Sequence, residues 1–341
     1  MKILFHAYNT CCQTESGGVQ VRVRKIKSLL EARGHQVDFF NAFDTKIKDY
    51  DVLHLFSLKE ESLGIAACAK KLGLKVVISP IVNTTSSRAR SVKNSIRFHR
   101  LFAHFSSESI EHQRYRILQL CDSIFVESRT EAVFIEKYYR VNPEKIKIVP
   151  NGVDEQTVAG KGIFNAIGKE CKYVLQVGRI DSNKNTLNTI KSVKGAPYSL
   201  VIIGGKASWG TDEYYKQCVT EAKSYPNVYM LGWLEPGSEL LASAYQNAQA
   251  VIMPSKSETF GLVAVEAAMA GAHVCLSNDL AILDFGVFKK EHTFNSSDIK
   301  DMRRVLDIVM ETPKNNEVRS AAQRVFSWPQ IIDEHIKTYN S

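Results

Sequence analysis

No run in this chain approaches the ~18 consecutive apolar residues that a membrane-spanning helix requires. The opening residues, Met1-Lys2-Ile3-Leu4-Phe5-His6, read as a strand rather than a signal peptide, so a cytoplasmic location is expected. Cysteine is scarce and carries no ligand pattern. The seven residues, at positions 11, 12, 68, 121, 171, 218 and 275, form an odd set without a Cys-x-x-Cys, which fits neither a disulfide framework nor a zinc site. Reduced and mostly buried thiols are the expectation. No Gly-x-Gly-x-x-Gly follows the first strand, and the second closes on Asn41 rather than on an acid, which argues against a nicotinamide dehydrogenase. Repeats and low-complexity tracts are missing too, and 44% hydrophobic with 23% charged residues is ordinary for a globular protein.

What is present is length, alternation and a lopsided charge. At 341 residues the chain suits two domains rather than one core, and two lobes imply a cleft. The net charge of +8 is concentrated at one end: residues 1–150 hold 24 lysines and arginines against 15 acids, leaving 20 against 21 for the remainder. A surface of one sign attracts phosphate-rich ligands, anionic membrane or nucleic acid.

Short apolar runs at Lys2–His6, Gln36–Asn41, Val52–Leu55, Lys75–Ile81, Ser123–Glu127 and Lys147–Val149 alternate with helical periodicity over Val19–Arg33, Glu60–Leu72, Ser107–Leu120 and Thr130–Tyr139. This order predicts an α/β fold with a parallel sheet covered on both faces. The pattern restarts with strands at Tyr173–Val177, Ser199–Ile203, Val228–Leu231, Ala250–Met253 and His273–Leu276. The expected architecture is therefore two Rossmann-like doubly wound domains, 1–155 and 171–326, joined by a weakly periodic, glycine-containing linker over 156–170. A last helix over 327–341 follows a break at Ser327-Trp328-Pro329.

The segment Glu258-Thr-Phe-Gly-Leu-Val-Ala-Val-Glu266 carries the strongest chemical signal, because it follows a strand and runs into a helix starting near Phe260 or Gly261. The first backbone N–H groups of that helix, from Gly261, Leu262 and Val263, suit a diphosphate, while Glu258 and Glu266 can accept hydrogen bonds from sugar hydroxyls at two heights. Val177-Gly-Arg179-Ile-Asp-Ser-Asn-Lys184 is a strand end with two cations, Pro150-Asn-Gly-Val-Asp154 is a candidate interdomain turn, and Ser16-Gly17-Gly18-Val19 is a glycine loop after the first strand.

Taken in chain order, from residue 16 to residue 271, these four motifs resemble those of the retaining GT-B glycosyltransferases of the large family-four group, with its E-x7-E signature. The likeness covers nearly the whole chain. It implies a transferase, of the hexosyltransferase type, that moves a sugar from a UDP- or GDP-linked donor to a glycan or lipid-linked acceptor with retention, the departing diphosphate taking the acceptor's proton. By the same resemblance Arg179 and Lys184 neutralise the diphosphate in place of a metal, so no metal and no separate cofactor are expected. Glu258 reaches the donor sugar and Glu266 the ribose. Gly17, Gly18, Gly204, Gly205, Gly232, Trp233, Phe260, Gly261, Leu262 and Val263 line the donor. One departure stands out: relatives often place a histidine after the fourth strand, where this chain reads Ser79-Pro-Ile-Val-Asn83, which leaves Asn83 or a backbone carbonyl in that position.

Two other readings compete. A nucleotide-sugar 2-epimerase shares the fold but needs acid and base groups beside the sugar. A nucleic-acid-binding protein would explain the basic half but not the motifs, and its aromatics are not interleaved with the cations in any module pattern. The densest basic stretch, Arg88 to Phe102, places Arg90, Lys93, Arg97 and Arg100 at three- and four-residue spacing, one face of a helix. It is expected to meet a pyrophosphate-bearing acceptor or an anionic membrane surface peripherally.

Overall fold

The computed structural model describes all residues except 9–10, 12–17, 103–107, 155–159 and 207–211, together with the backbone but not the side chains of residues 18, 86 and 99–102. Its first half runs β1 (Lys2–Ala7), α1 (Gly18–Ala32), β2 (Gln36–Phe39), β3 (Val52–Phe56), α2 (Ser62–Lys71), β4 (Lys75–Ser79), α3 (Ser86–Phe102), α4 (Ile110–Leu120), β5 (Ser123–Val126), α5 (Arg129–Tyr139) and β6 (Ile146–Ile148). The strands pair in the order β2-β1-β3-β4-β5-β6, all parallel. Every residue of β3, Val-Leu-His-Leu-Phe, is buried, as a strand covered on both faces requires.

The second half continues with α6 (Gly162–Ile167), β7 (Tyr173–Val177), α7 (Thr186–Ser192), β8 (Ser199–Ile203), α8 (Glu213–Lys223), β9 (Val228–Met230), α9 (Glu239–Asn247), β10 (Ala250–Met253), α10 (Leu262–Met269), β11 (His273–Ser277), β12 (Thr293–Phe294), α11 (Ile299–Glu311), α12 (Glu317–Phe326) and α13 (Trp328–Asn340). Its parallel sheet has the order β12-β11-β10-β7-β8-β9. Leu175, Val251, Met253 and Leu276 pack on one face with Ala264 and Phe326, and Val174, Leu200, Ile252 and Cys275 on the other with Val305 and Leu306.

Two compact units result, Met1–Asn151 with Trp328–Ser341, and Gly152–Ser327. The stretch 156–170, expected as a linker, contains α6, whose Ile163 and Ile167 are buried; the N–H of Ile163 donates to Ser243 Oγ at 3.1 Å. Six residues make too few turns for periodicity to reveal them. The chain enters the second unit beside the place where it leaves, the N–H of Val153 donating to the carbonyl of Phe326 at 3.0 Å.

Helix α13 belongs to the first unit. Trp328, Ile331, Ile332 and Tyr339 fill the sheet face beneath α1, against Ile3, Phe5, Val77 and Phe125, and each such aliphatic side chain contributes roughly 1.5–3 kcal/mol on burial. A buried polar contact fixes its register, since His54 on β3 bonds Tyr339 Oη at 2.6 Å through Nδ1 and Ser79 Oγ at 3.0 Å through Nε2. Burial holds His54 well below the ordinary imidazole range, helped by the nearby charges of His335 and Arg22, so the ring is neutral.

Cys11, Cys121, Cys218 and Cys275 are buried, Cys171 half-buried and Cys68 exposed; Cys12 lies outside the described residues. No helix among the described residues is long and apolar enough to cross a membrane.

Candidate functional site

The strand order of the second unit reverses between β10 and β7, and in open parallel sheets ligands bind at the carboxyl edge of such a switch point. Two loops leave the sheet there, Gly178–Asn185 after β7 and Pro254–Gly261 after β10. Lys184 and Glu258, 74 positions apart, meet between these loops in a direct ion pair from Nζ to Oε1, with only 19% and 14% of their side chains exposed.

Asn183 holds the two loops in this register. Its Nδ2 donates to the carbonyl of Ser257 at 2.9 Å, and its Oδ1 accepts from the N–H and hydroxyl of Ser257 at 3.2 and 3.1 Å. Its own carbonyl accepts from the N–H of Lys256 at 2.9 Å. Asp181 accepts from the N–H of Lys184 at 2.9 Å, and Gln176 donates to the carbonyl of Lys184 at 3.0 Å. Asn185 adopts the left-handed region, φ 56°, and its Nδ2 donates to the carbonyl of Ser296 at 2.7 Å.

Glycines form the rim beside the pair. The N–H of Gly178 donates to Ile203, that of Gly204 to Gly232 and that of Ile180 to Gly205, at 2.8–2.9 Å, sewing the ends of β7, β8 and β9 together. A Cβ at Gly204 would stand 1.8 Å from the carbonyl oxygen of Gly178, so only glycine fits. The stem of Lys184 passes 3.6 Å from where a Cβ of Gly178 would be.

Gly261, at φ 107°, precedes α10, which no side chain caps, leaving the first N–H groups of Leu262 and Val263 at a helix start of the kind that receives anions. Both side chains are half-buried. Glu266 lies on the same helix, half-buried, and accepts from Tyr245 Oη at 2.6 Å. Burial raises its carboxyl above the usual range, against the pull of that hydrogen bond.

The structure thus separates residues that the motifs group together. Arg179 does not share the Lys184 pair; it is 60% exposed and contacts Asp181 at 3.4 Å. Glu258 and Glu266 serve different partners, Lys184 and Tyr245. The Phe260 ring is 3% exposed and packs edge-on against Phe285 and Phe326, which leaves its backbone as the part that could face a donor. Trp233, by contrast, is 64% exposed next to Gly232. Gly17 lies outside the described residues, and Gly18 opens α1. Sequence reasoning assigned no role to Tyr245, which carries no local signal, or to Asn183, although the latter stands inside the quoted Val177–Lys184 motif.

The first unit's carboxyl edge is also built from strained backbone. Ser57 after β3 and Ile81 after β4 both have positive φ, 78° and 52°, which is rare outside glycine and most of all for a β-branched residue. Glu131 supports this edge, its two carboxylate oxygens accepting from the N–H groups of Val82 at 2.6 Å and Glu127 at 2.7 Å. Its carboxyl is pushed up to about 8 by burial and by Glu127, against those two bonds, and Glu127 pairs with the buried Arg22. Asn83 is exposed and accepts from the N–H of Thr85 at 3.2 Å. His6 is buried with its pKa lowered by that burial, against the charge of Glu61.

On α3, Arg90, Lys93 and Arg97 are exposed while Ala89, Val92 and Ile96 are buried; the side chain of Arg100 lies outside the described residues. No cluster of metal-ligating side chains occurs among the described residues. The one Asp-x-Asp, Asp49-Tyr-Asp51, sits before β3 at the opposite, amino end of its sheet, with Asp51 accepting from the N–H of Lys2 at 2.7 Å.

Residues 163–324 match the model for glycosyl transferases group 1, and residues 42–157 that for glycosyltransferase family 4. The fold superposes on that of Anabaena HepE in complex with UDP, with a TM-score of 0.76 over 100% of both chains at 15% identity. An uncharacterized 41.2 kDa protein of the Klebsiella pneumoniae cps region is 26% identical over 62% of each chain. A GDP-mannose:cellobiosyl-diphosphopolyprenol alpha-mannosyltransferase of Xanthomonas oryzae pv. oryzae is 29% identical over 40% of this chain and 36% of its own. The chain therefore spans less than two thirds of the length of either relative. Two six-stranded parallel-sheet units are the GT-B architecture, and with matches to both family models this chain belongs to the GT-B glycosyltransferases.

Proposed function

We propose that the protein transfers a hexosyl group from a UDP- or GDP-linked donor to a hydroxyl of a glycan or lipid-linked acceptor, with retention and without a metal. The observation that carries this reading is the meeting of Lys184 and Glu258 at the β7/β10 switch point, beside a glycine rim and the start of α10. It is supported by the UDP bound to HepE and by the donor and acceptor named for the Xanthomonas relative.

In this mechanism Lys184 and Arg179 stabilise the charge that grows on the diphosphate as the bond from C1 to its oxygen breaks. The acceptor oxygen bonds to C1 on the same face, and its proton passes to the departing diphosphate. Glu258 holds the sugar and Glu266 the ribose. Hydrolysis measured across a panel of nucleotide sugars tests the reading directly, and no turnover of any of them would end it.

The division of labour predicts different defects. Glu258→Ala should act chiefly on kcat and Glu266→Ala chiefly on donor KM, each by about 1.5–3 kcal/mol, the worth of a charged hydrogen-bond acceptor. Wild-type turnover by both variants with every competent donor would sink the assignment.

The basic face of α3 extends the proposal to a peripheral position at an anionic membrane, on the cytoplasmic side. Each cation near such a surface contributes about 1 kcal/mol, screened within a Debye length. The protein should co-sediment with anionic but not zwitterionic vesicles at low salt, and a variant with Arg90, Lys93, Arg97 and Arg100 changed to Gln should not. Equal sedimentation of the variant would reduce this face to a solvated one.

A further inference from the structure

Lys184 does not present a free ammonium to the site; Glu258 already holds it. The two loops that carry the pair are held in register, Asp181 accepting from the N–H of Lys184 and Asn183 gripping Ser257, the residue before Glu258. A diphosphate that reaches Lys184 must therefore sit beside a carboxylate or take that carboxylate's partner. Resting on the glycosyltransferase reading, we propose that Glu258 is an internal competitor for Lys184 and makes the site discriminate an intact nucleotide sugar from the free nucleoside diphosphate.

The asymmetry comes from what each ligand returns to Glu258. An intact donor brings sugar hydroxyls, which donate to a carboxylate and replace the lost ammonium contact. A free nucleoside diphosphate brings none, and its terminal phosphate carries more negative charge, against which a half-buried carboxylate is repelled in a medium less screening than water. Breaking the pair is thus compensated when substrate binds and uncompensated when the nucleotide product remains. The same contact that admits the donor favours release of the spent nucleotide, which keeps product inhibition low.

Calorimetric titration of the full chain with UDP, GDP, UDP-glucose and GDP-mannose tests this. Glu258→Gln keeps the shape and removes the charge, so it should bind the accepted free nucleotide about tenfold more tightly than wild type while binding the sugar-bearing form no better. On a Lys184→Met background the gain from Glu258→Gln should shrink to about twofold or less, the coupling expected of residues in direct contact. Unchanged or weaker nucleotide binding by Glu258→Gln overturns the competition and leaves the glycosyltransferase reading in place. Binding of neither UDP nor GDP by the wild-type protein overturns both.

Discussion

Gly204→Ala should collapse the glycine rim and destabilise the second unit by about 3 kcal/mol or more. The added carbon would lie 1.8 Å from the carbonyl oxygen of Gly178 and 2.7 Å from its carbon, and both are backbone atoms that cannot swing aside. Relief requires the ends of β7 and β8 to part, breaking the N–H bonds from Gly178 to Ile203 and from Gly204 to Gly232. Overpacking costs about 1–3 kcal/mol and a strained φ about 1–3 more. Gly232→Ala is the matched comparison, since its φ is also positive, at 75°, but nothing lies within 4 Å, so it should lose only about 1–2 kcal/mol. Urea unfolding of the two variants, read on the second unit's transition, decides the matter. Equal midpoints would show that the rim yields.

Lys184→Ala should lower kcat/KM with any competent donor by about 10²–10³, roughly 3–4 kcal/mol of transition-state stabilisation. The electrostatic reason is twofold. The variant loses a cation that the proposed mechanism sets against the diphosphate, and it removes the ion-pair partner of Glu258, whose side chain is only 14% exposed. Arg179→Ala should do less and depend on salt, because that side chain is 60% exposed. EDTA should leave the wild-type rate unchanged, since the proposed mechanism assigns a metal's role to these cations. Full loss of activity in EDTA, restored by magnesium or manganese, would overturn this account, as would a Lys184→Ala enzyme of normal kcat/KM.

Much of this was legible in the chain because strand alternation and motif order are local. Val52–Leu55 and Tyr173–Val177 announce themselves as apolar runs, and Lys184 and Glu258 each stand in a loop that follows one. Their contact is not local. It depends on β10 inserting beside β7 rather than beside β9, a choice made by packing on both faces of the sheet. The ion pair was therefore hidden even with both partners in view. The place of the Phe260 ring was hidden for a related reason: it is claimed by Phe285 and Phe326, residues farther along the sequence. Tyr245 was invisible, since a tyrosine on α9 gives no sign of facing Glu266.

The first unit is not continuous in the chain, and this fixes an order of events on the ribosome. Residues Met1–Asn151 emerge first, yet the sheet face beneath α1 is closed by Trp328, Ile331, Ile332 and Tyr339. Nascent domains ordinarily complete themselves from the amino terminus onward; here the earlier unit must wait, with Phe5, Val77, Phe125 and the neutral ring of His54 uncovered, while the whole of Gly152–Ser327 is synthesised. The second unit, contiguous and self-contained, can finish first. Slowing translation after Ser327 should lengthen the exposure of that face without touching the fold of the second unit.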